Sequence, residues 1–166
     1  PDTLPRMRLG VWAVGAGGLA LLLSACQDPT QIRVEVRTRG LDCAEVTGTR
    51  LSSGPLEGSP TQRHDTSACS ADRIGDLVYT PSGKTDGDFR LQVSVGVNGK
   101  TASACEQACG DDCIVARRRM SFVPQQKLFM PITAEPSCIS VCCPEEQTCV
   151  DGRCVSTDID PCLDDG

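Results

Sequence analysis

Twelve cysteines and a single histidine, His64, carry most of the reactive chemistry of this 166-residue sequence. A thiol can join a disulfide, hold a soft metal or accept a covalent group, and spacing and compartment decide which. Cys26 stands apart, behind Leu23, Ser24 and Ala25 at the close of an apolar stretch. Cys105, Cys109 and Cys113 recur every fourth residue, which on a helix would align three thiolates toward zinc or an iron–sulfur cluster. That spacing differs from the two-residue gaps of common metal knuckles, and a disulfide framework is the preferred reading. Cys138, Cys142, Cys143, Cys149, Cys154 and Cys162 crowd the C-terminal end. A segment so dense in cysteine cannot build an apolar core and must be stapled.

The N-terminal region gives the clearest address. Arg6 and Arg8 flank Met7, the expected true start, and an apolar run from Leu9 to Leu23 follows. The run is about 15 residues long, against roughly 20 for a spanning helix, and Gly10, Gly15, Gly17 and Gly18 interrupt it. This is the layout of a secretory signal, here residues 1–25. Leu23-Ser24-Ala25-Cys26 resembles the lipobox of bacterial lipoproteins. The resemblance implies cleavage between Ala25 and Cys26, with a diacylglycerol on the Cys26 thiol and an N-acyl chain, such as palmitate, on its amine. It places the chain in the cell envelope, on the periplasmic or cell-surface side, with the outer membrane favoured over the inner membrane. Two or more acyl chains make such anchoring stable, where one is marginal. Cleavage would remove Asp2, Arg6 and Arg8 and take the net charge from −6 to about −7. That acidity argues against nucleic acid as a partner, and against electrostatic adhesion to anionic lipid.

With Cys26 committed to lipid, an odd number of thiols remains. Cys43 with Cys69 would close a loop of about 27 residues, worth about 3 kcal/mol in the chain-entropy model. Cys105 with Cys113 is the other local pair, and the six C-terminal cysteines can pair among themselves. Cys109 is then the free or intermolecular thiol, and a route to a disulfide-linked dimer.

The elements that must carry these groups read as strands. Ile32, Val34 and Val36 alternate with Arg33, Glu35 and Arg37, the period of a half-buried strand. Phe89, Leu91, Val93, Val95 and Val97 alternate again, and Asn98-Gly99 then supplies a turn. Weaker strands are expected over 45–52, 74–80, 114–123 and 128–132. Residues 53–70, rich in Gly and Pro, read as a loop, and 100–112 as a loop or one short helix. Short strands without a long helical period indicate a mainly β protein: an antiparallel β-sandwich, immunoglobulin-like or transthyretin-like, over 31–135. Residues 26–30 form the lipidated cysteine and a short tether. Residues 136–166 form a small disulfide-rich module with an acidic tail.

Within that module, the run from Cys143 to Cys154, with Asp151-Gly152 as its turn, is loosely similar to half of an EGF-like module. Asp158-Ile159-Asp160-Pro161-Cys162 resembles the opening of a calcium-binding module of that type. The resemblance makes Asp158 and Asp160 weak calcium ligands, and a solvated acidic tail is the preferred reading. The overall layout resembles uncharacterised predicted lipoproteins of myxobacterial type, which implies location and layout but no activity.

No enzymatic constellation stands out. His64 lies beside Asp65 in the Gly/Pro-rich stretch and reads as exposed; no Gly-x-Ser-x-Gly elbow accompanies it. Asp86/Asp88 and Asp111/Asp112 are paired carboxylates in turn-like stretches, where Asp is routine. Arg117-Arg118-Arg119 is the one basic cluster, suited to phosphate or carboxylate, or else a guard on an edge strand. The expected function is a non-enzymatic binding or structural module with no soluble cofactor. Its expected partners are the membrane, through the lipid, and an unknown envelope protein or glycan. The alternatives are an envelope hydrolase built on acidic residues and a lipoprotein-type cargo carrier.

Overall fold

The computed structural model describes residues 29–81 and 87–158. Cys26 and its cleavage partner Ala25, together with Asp86, Asp160 and Cys162, lie outside the described residues. The protein is mainly β. Its elements are β1 (Gln31–Thr38), β2 (Val46–Gly54), β3 (Gln62–Thr66), β4 (Arg73–Tyr79), β5 (Asp88–Val97), α1 (Ala102–Gln107), β6 (Cys113–Ser121), β7 (Lys127–Ala134), β8 (Gln147–Val150) and β9 (Arg153–Ser156). One sheet runs β4-β1-β7, a second runs β3-β2-β5-β6, and β8-β9 is a separate hairpin.

Alternation explains the two larger sheets. In β1, Ile32, Val34 and Val36 are buried while Arg33 and Arg37 are exposed. In β5, Leu91, Val93, Val95 and Val97 are each at most 1 % exposed. These residues join Leu51, Ile74, Tyr79, Ile114, Ala116, Met120, Met130 and Ile132 in one hydrophobic cluster fed by both sheets. Each such side chain contributes roughly 1.5–3 kcal/mol on burial. Phe89 stacks on Phe122 with centroids 5.0 Å apart and closes one end of the cluster. Phe129 lies beneath the Arg33 guanidinium, 5.9 Å from its ring centre.

Several expectations are corrected. The pairing is not wholly antiparallel, because β1 and β7 run parallel from Gln31↔Lys127 to Thr38↔Ala134. The stretch 53–70 is not all loop, because β3 pairs with β2 there. Cys109 is not the odd thiol: it bonds Cys142. The other bonds are Cys43–Cys69, Cys105–Cys113, Cys138–Cys149 and Cys143–Cys154. The first two are the local pairs that spacing suggests. The six C-terminal cysteines do not pair only among themselves, since Cys142 reaches back to the segment after α1. Cys109 is therefore spent within the chain and cannot bridge two copies. Nor do Cys105, Cys109 and Cys113 share a helix, because α1 ends at Gln107.

The C-terminal segment packs along β6. Ser140 N–H donates to Cys113 O at 2.9 Å, Arg117 N–H to Thr148 Oγ1 at 2.9 Å, and Arg119 N–H to Thr157 O at 2.9 Å. These bonds occupy the outer edge of β6, which would otherwise present unpaired backbone groups. Cys138 and Cys149 are buried in the main cluster. The β8-β9 turn uses Asp151 and Gly152 at φ 48° and 75°, as that sequence suggests. Asn98 and Gly99, at φ 51° and 88°, also form a turn, but it leads into α1.

Candidate functional site

Period-2 alternation that sends Leu51, Leu91 and Ala116 inward sends the intervening residues outward. Register then assembles them. Arg63, Ser52, Gln92 and Arg117 form one row across β3, β2, β5 and β6. The adjacent row sets Arg90 of β5 directly against Arg119 of β6. A cleft of about 640 Å³ opens over this face, lined by Arg50, Arg63, Arg90, Arg117 and Arg119 among others. Six arginines from four strands, Arg118 included, thus line one cleft of an acidic protein.

Helix α1 closes one side of the cleft. Thr101 caps it, accepting from Ala104 N–H at 3.3 Å, and the Cys105–Cys113 bond ties it to the start of β6. Gly96 lets it approach the sheet: a Cβ there would lie 2.8 Å from Lys100 C and 2.9 Å from Thr101 C. The helix delivers Glu106. Its carboxylate accepts from Ser52 Oγ, from Arg50 Nη1 at 3.0 Å and from Arg63 Nε at 3.0 Å. Burial works to raise the Glu106 pKa, but the three donors outweigh it and hold the carboxyl below its ordinary range. Arg50 also clamps Asp65 with two bonds, at 2.6 and 2.7 Å, and keeps that carboxyl low as well.

The arginines nearer β6 are held differently. Arg117 donates from Nε to Gln92 Oε1 at 3.0 Å, and from Nη1 to Cys143 O at 3.0 Å, Pro144 O at 3.4 Å and Gln147 O at 3.5 Å. Its partners orient the guanidinium but carry no charge. Arg90 donates to Gly58 O. Among the described residues no carboxylate lies within 4.0 Å of Arg90 or Arg117, whereas Arg119 pairs with Glu146 and, at 3.7 Å, with Asp158. Burial lowers the Arg117 pKa, Glu145 opposes that, and the nearby Arg90 charge adds to the lowering.

The other residues singled out from sequence fall elsewhere. His64 is exposed, as read, but on β3 opposite Leu51 and not in a loop. Asp88 accepts from Ser121, Asp112 accepts from Asn98 at 2.8 Å, and Asp111 is exposed. Asp158 is engaged by Arg119 and Ser156. Among the described residues no group of three or more His, Cys, Asp or Glu is placed to hold a metal, and no helix is long and apolar enough to cross a membrane. Within the basic triplet, Arg118 also lines the cleft and donates from Nη1 to Arg117 O at 2.8 Å and to Thr148 Oγ1 at 3.0 Å. Sequence reasoning missed Arg50, Arg63, Arg90, Gln92 and Glu106. Outward parity on β2 and β5 was the available signal, but it says nothing of which strands are neighbours.

Compared with protein-family models, curated proteins and solved structures, the chain matches none.

Proposed function

We propose that this chain is a lipid-anchored cell-envelope protein acting as a non-enzymatic binding module. Its two larger sheets form a β-sandwich, of immunoglobulin-like or transthyretin-like type, that presents the arginine-lined cleft. The observation that carries the binding reading is the convergence of arginines from β2, β3, β5 and β6 on one cleft beside a disulfide-tied helix. Such a site is held in place before a ligand arrives, and pre-organisation reduces the entropic cost of binding. The anchor reading rests on Leu23-Ser24-Ala25-Cys26 behind an apolar run. Attachment by lipid at Cys26 followed by the short segment Gln27-Asp28-Pro29-Thr30, at most roughly 14 Å long, keeps the domain close to the membrane surface.

Two measurements test this reading. In cells that make lipoproteins, the wild-type chain should take up radiolabelled palmitate and Cys26→Ser should not; equal labelling of both would overturn the anchor. For the binding role, the full chain in detergent should bind isolated envelope fractions saturably. Binding that rises linearly without saturation would count against a binding module.

A further inference from the structure

We propose that the cleft over the outward face of β2, β3, β5 and β6 binds a ligand bearing two or more oxyanion groups, phosphate or carboxylate, held chiefly by Arg90 and Arg117. This rests on the binding-module reading and names the chemistry of its ligand.

The argument starts from charge placement. Like charges directly opposite one another in a sheet are destabilising. Arg90 nonetheless faces Arg119 across β5 and β6, and Arg117 is the diagonal neighbour of Arg90. Arg119 is compensated by Glu146 and Asp158, and Arg50 and Arg63 are compensated by Glu106 and Asp65. Arg90 and Arg117 sit between these two neutralised groups without a carboxylate at ion-pair distance among the described residues. Arg117 is half-buried, so bulk solvent screens it less than it would an open surface group.

The hydrogen bonds fit the same reading. Gln92 fixes Nε of Arg117 and three backbone carbonyls share Nη1, which sets the plane of the guanidinium. Among the described residues, no group accepts a hydrogen bond from Nη2 of Arg117 or from Nε and Nη1 of Arg90. Planar guanidinium edges pair with phosphate or carboxylate oxygens through two parallel bonds. Two such edges on diagonal positions are roughly 7–8 Å apart at the backbone, a separation that suits a ligand with two anionic groups. A volume of about 640 Å³ accommodates a ligand of that size.

The test uses the full chain in detergent and two probes, inorganic pyrophosphate and citrate, by titration calorimetry and thermal melting. At least one probe should bind one site per chain, raise the melting temperature and weaken as salt is added. Arg90→Gln and Arg117→Gln should each weaken binding at least tenfold. Arg33→Gln, on the other sheet, should leave it within twofold. Because Arg117 also anchors the C-terminal segment, Arg90→Gln is the decisive variant. Binding of pyrophosphate alone assigns a phosphoryl ligand, and binding of citrate alone assigns a carboxylate ligand. Failure of both probes to bind, or equal losses in Arg90→Gln and Arg33→Gln, would overturn the proposal. In that event, saturable binding to envelope fractions that persists in Arg90→Gln would leave the binding-module reading standing with a different ligand.

Discussion

The outward faces of the two larger sheets use arginine in opposite ways. On β1 and β4, Arg33 pairs with Asp76 at 2.6 Å, Arg37 with Glu35 at 2.7 Å, and Arg73 with both Asp76 and Glu35. Every arginine there has an acid, and the side chain of Glu35 is only 5 % exposed between its partners. On β5 and β6, Arg117 is oriented by an amide and backbone carbonyls, and Arg90 by one carbonyl. One face is a closed ion-pair lattice. The other pairs Arg50, Arg63 and Arg119 with acids but positions Arg90 and Arg117, among the described residues, without a carboxylate at ion-pair distance. Arginine content alone therefore does not mark a binding face; the chemistry of the partners does.

Both faces depend on one interior, and the largest effect should come from breaking it. Val95 is 1 % exposed within the shared cluster. Val95→Asp places an unpaired carboxylate there, a change in the class that costs more than about 4 kcal/mol. Urea melts should show loss of the cooperative transition or a large fall in its midpoint. A midpoint near the wild-type value would mean that the two faces do not share a core.

How far the sequence reaches can be judged from the same strands. Alternation made β1 and β5 visible because one side of each is apolar along its whole length. It could not show β3, since Gln62-Arg63-His64-Asp65-Thr66 is polar on both sides and is exposed from Gln62 to Asp65. It could not show that β1 and β7 run parallel, because a period of two reads alike in either direction. Asn98-Gly99 and Asp151-Gly152 were legible because those pairs favour positive φ. Cys109–Cys142 was not, because disulfide connectivity cannot be deduced from sequence alone. Arg117 stood out as part of a triplet, but its partnership with Arg90 needs the β5–β6 register.

The next effect should separate the faces. Cys109–Cys142 spans 33 residues and ties the C-terminal segment, with its carbonyls around Arg117, to the stretch after α1. Loop-closure entropy for a span of that length gives about 3–4 kcal/mol. Replacing both cysteines by Ala should lower stability by up to that amount. Hydrogen exchange should rise along β8, β9 and the edge of β6, and stay low along β1 and β4. Uniform loss of protection on both sheets would show that the two faces are not independent.

A smaller effect concerns the acid that neutralises half of the cleft. The Glu106 pKa is held below its ordinary value of 4.5, so its contribution is complete above that pH and is lost as pH falls through the folded-state value. Glu106→Gln should cost about 1–3 kcal/mol at pH 7, as for a partly buried hydrogen-bonded charge that loses its partners' compensation. It should also flatten the stability profile below about pH 4.5 relative to wild type. Unchanged acid sensitivity in Glu106→Gln would place the main acid-labile contact elsewhere.

The smallest effect is the most discriminating. Asp76→Asn removes the acid shared by Arg33 and Arg73, so it should lower the melting temperature, and more so at low salt than at high salt. Arg90→Gln removes a cation that faces Arg119 and crowds Arg117. It should change stability by no more than about 0.5 kcal/mol, in the stabilising direction at low salt, because a repulsion is relieved and only the bond to Gly58 O is lost. The two variants should therefore shift the melt in opposite directions in low-salt buffer and converge on wild type as salt is added. A fall in melting temperature for Arg90→Gln comparable to that for Asp76→Asn would mean that Arg90 is part of a stabilising lattice after all. The contrast between a closed face and an open one would then fail at the residue on which it most depends.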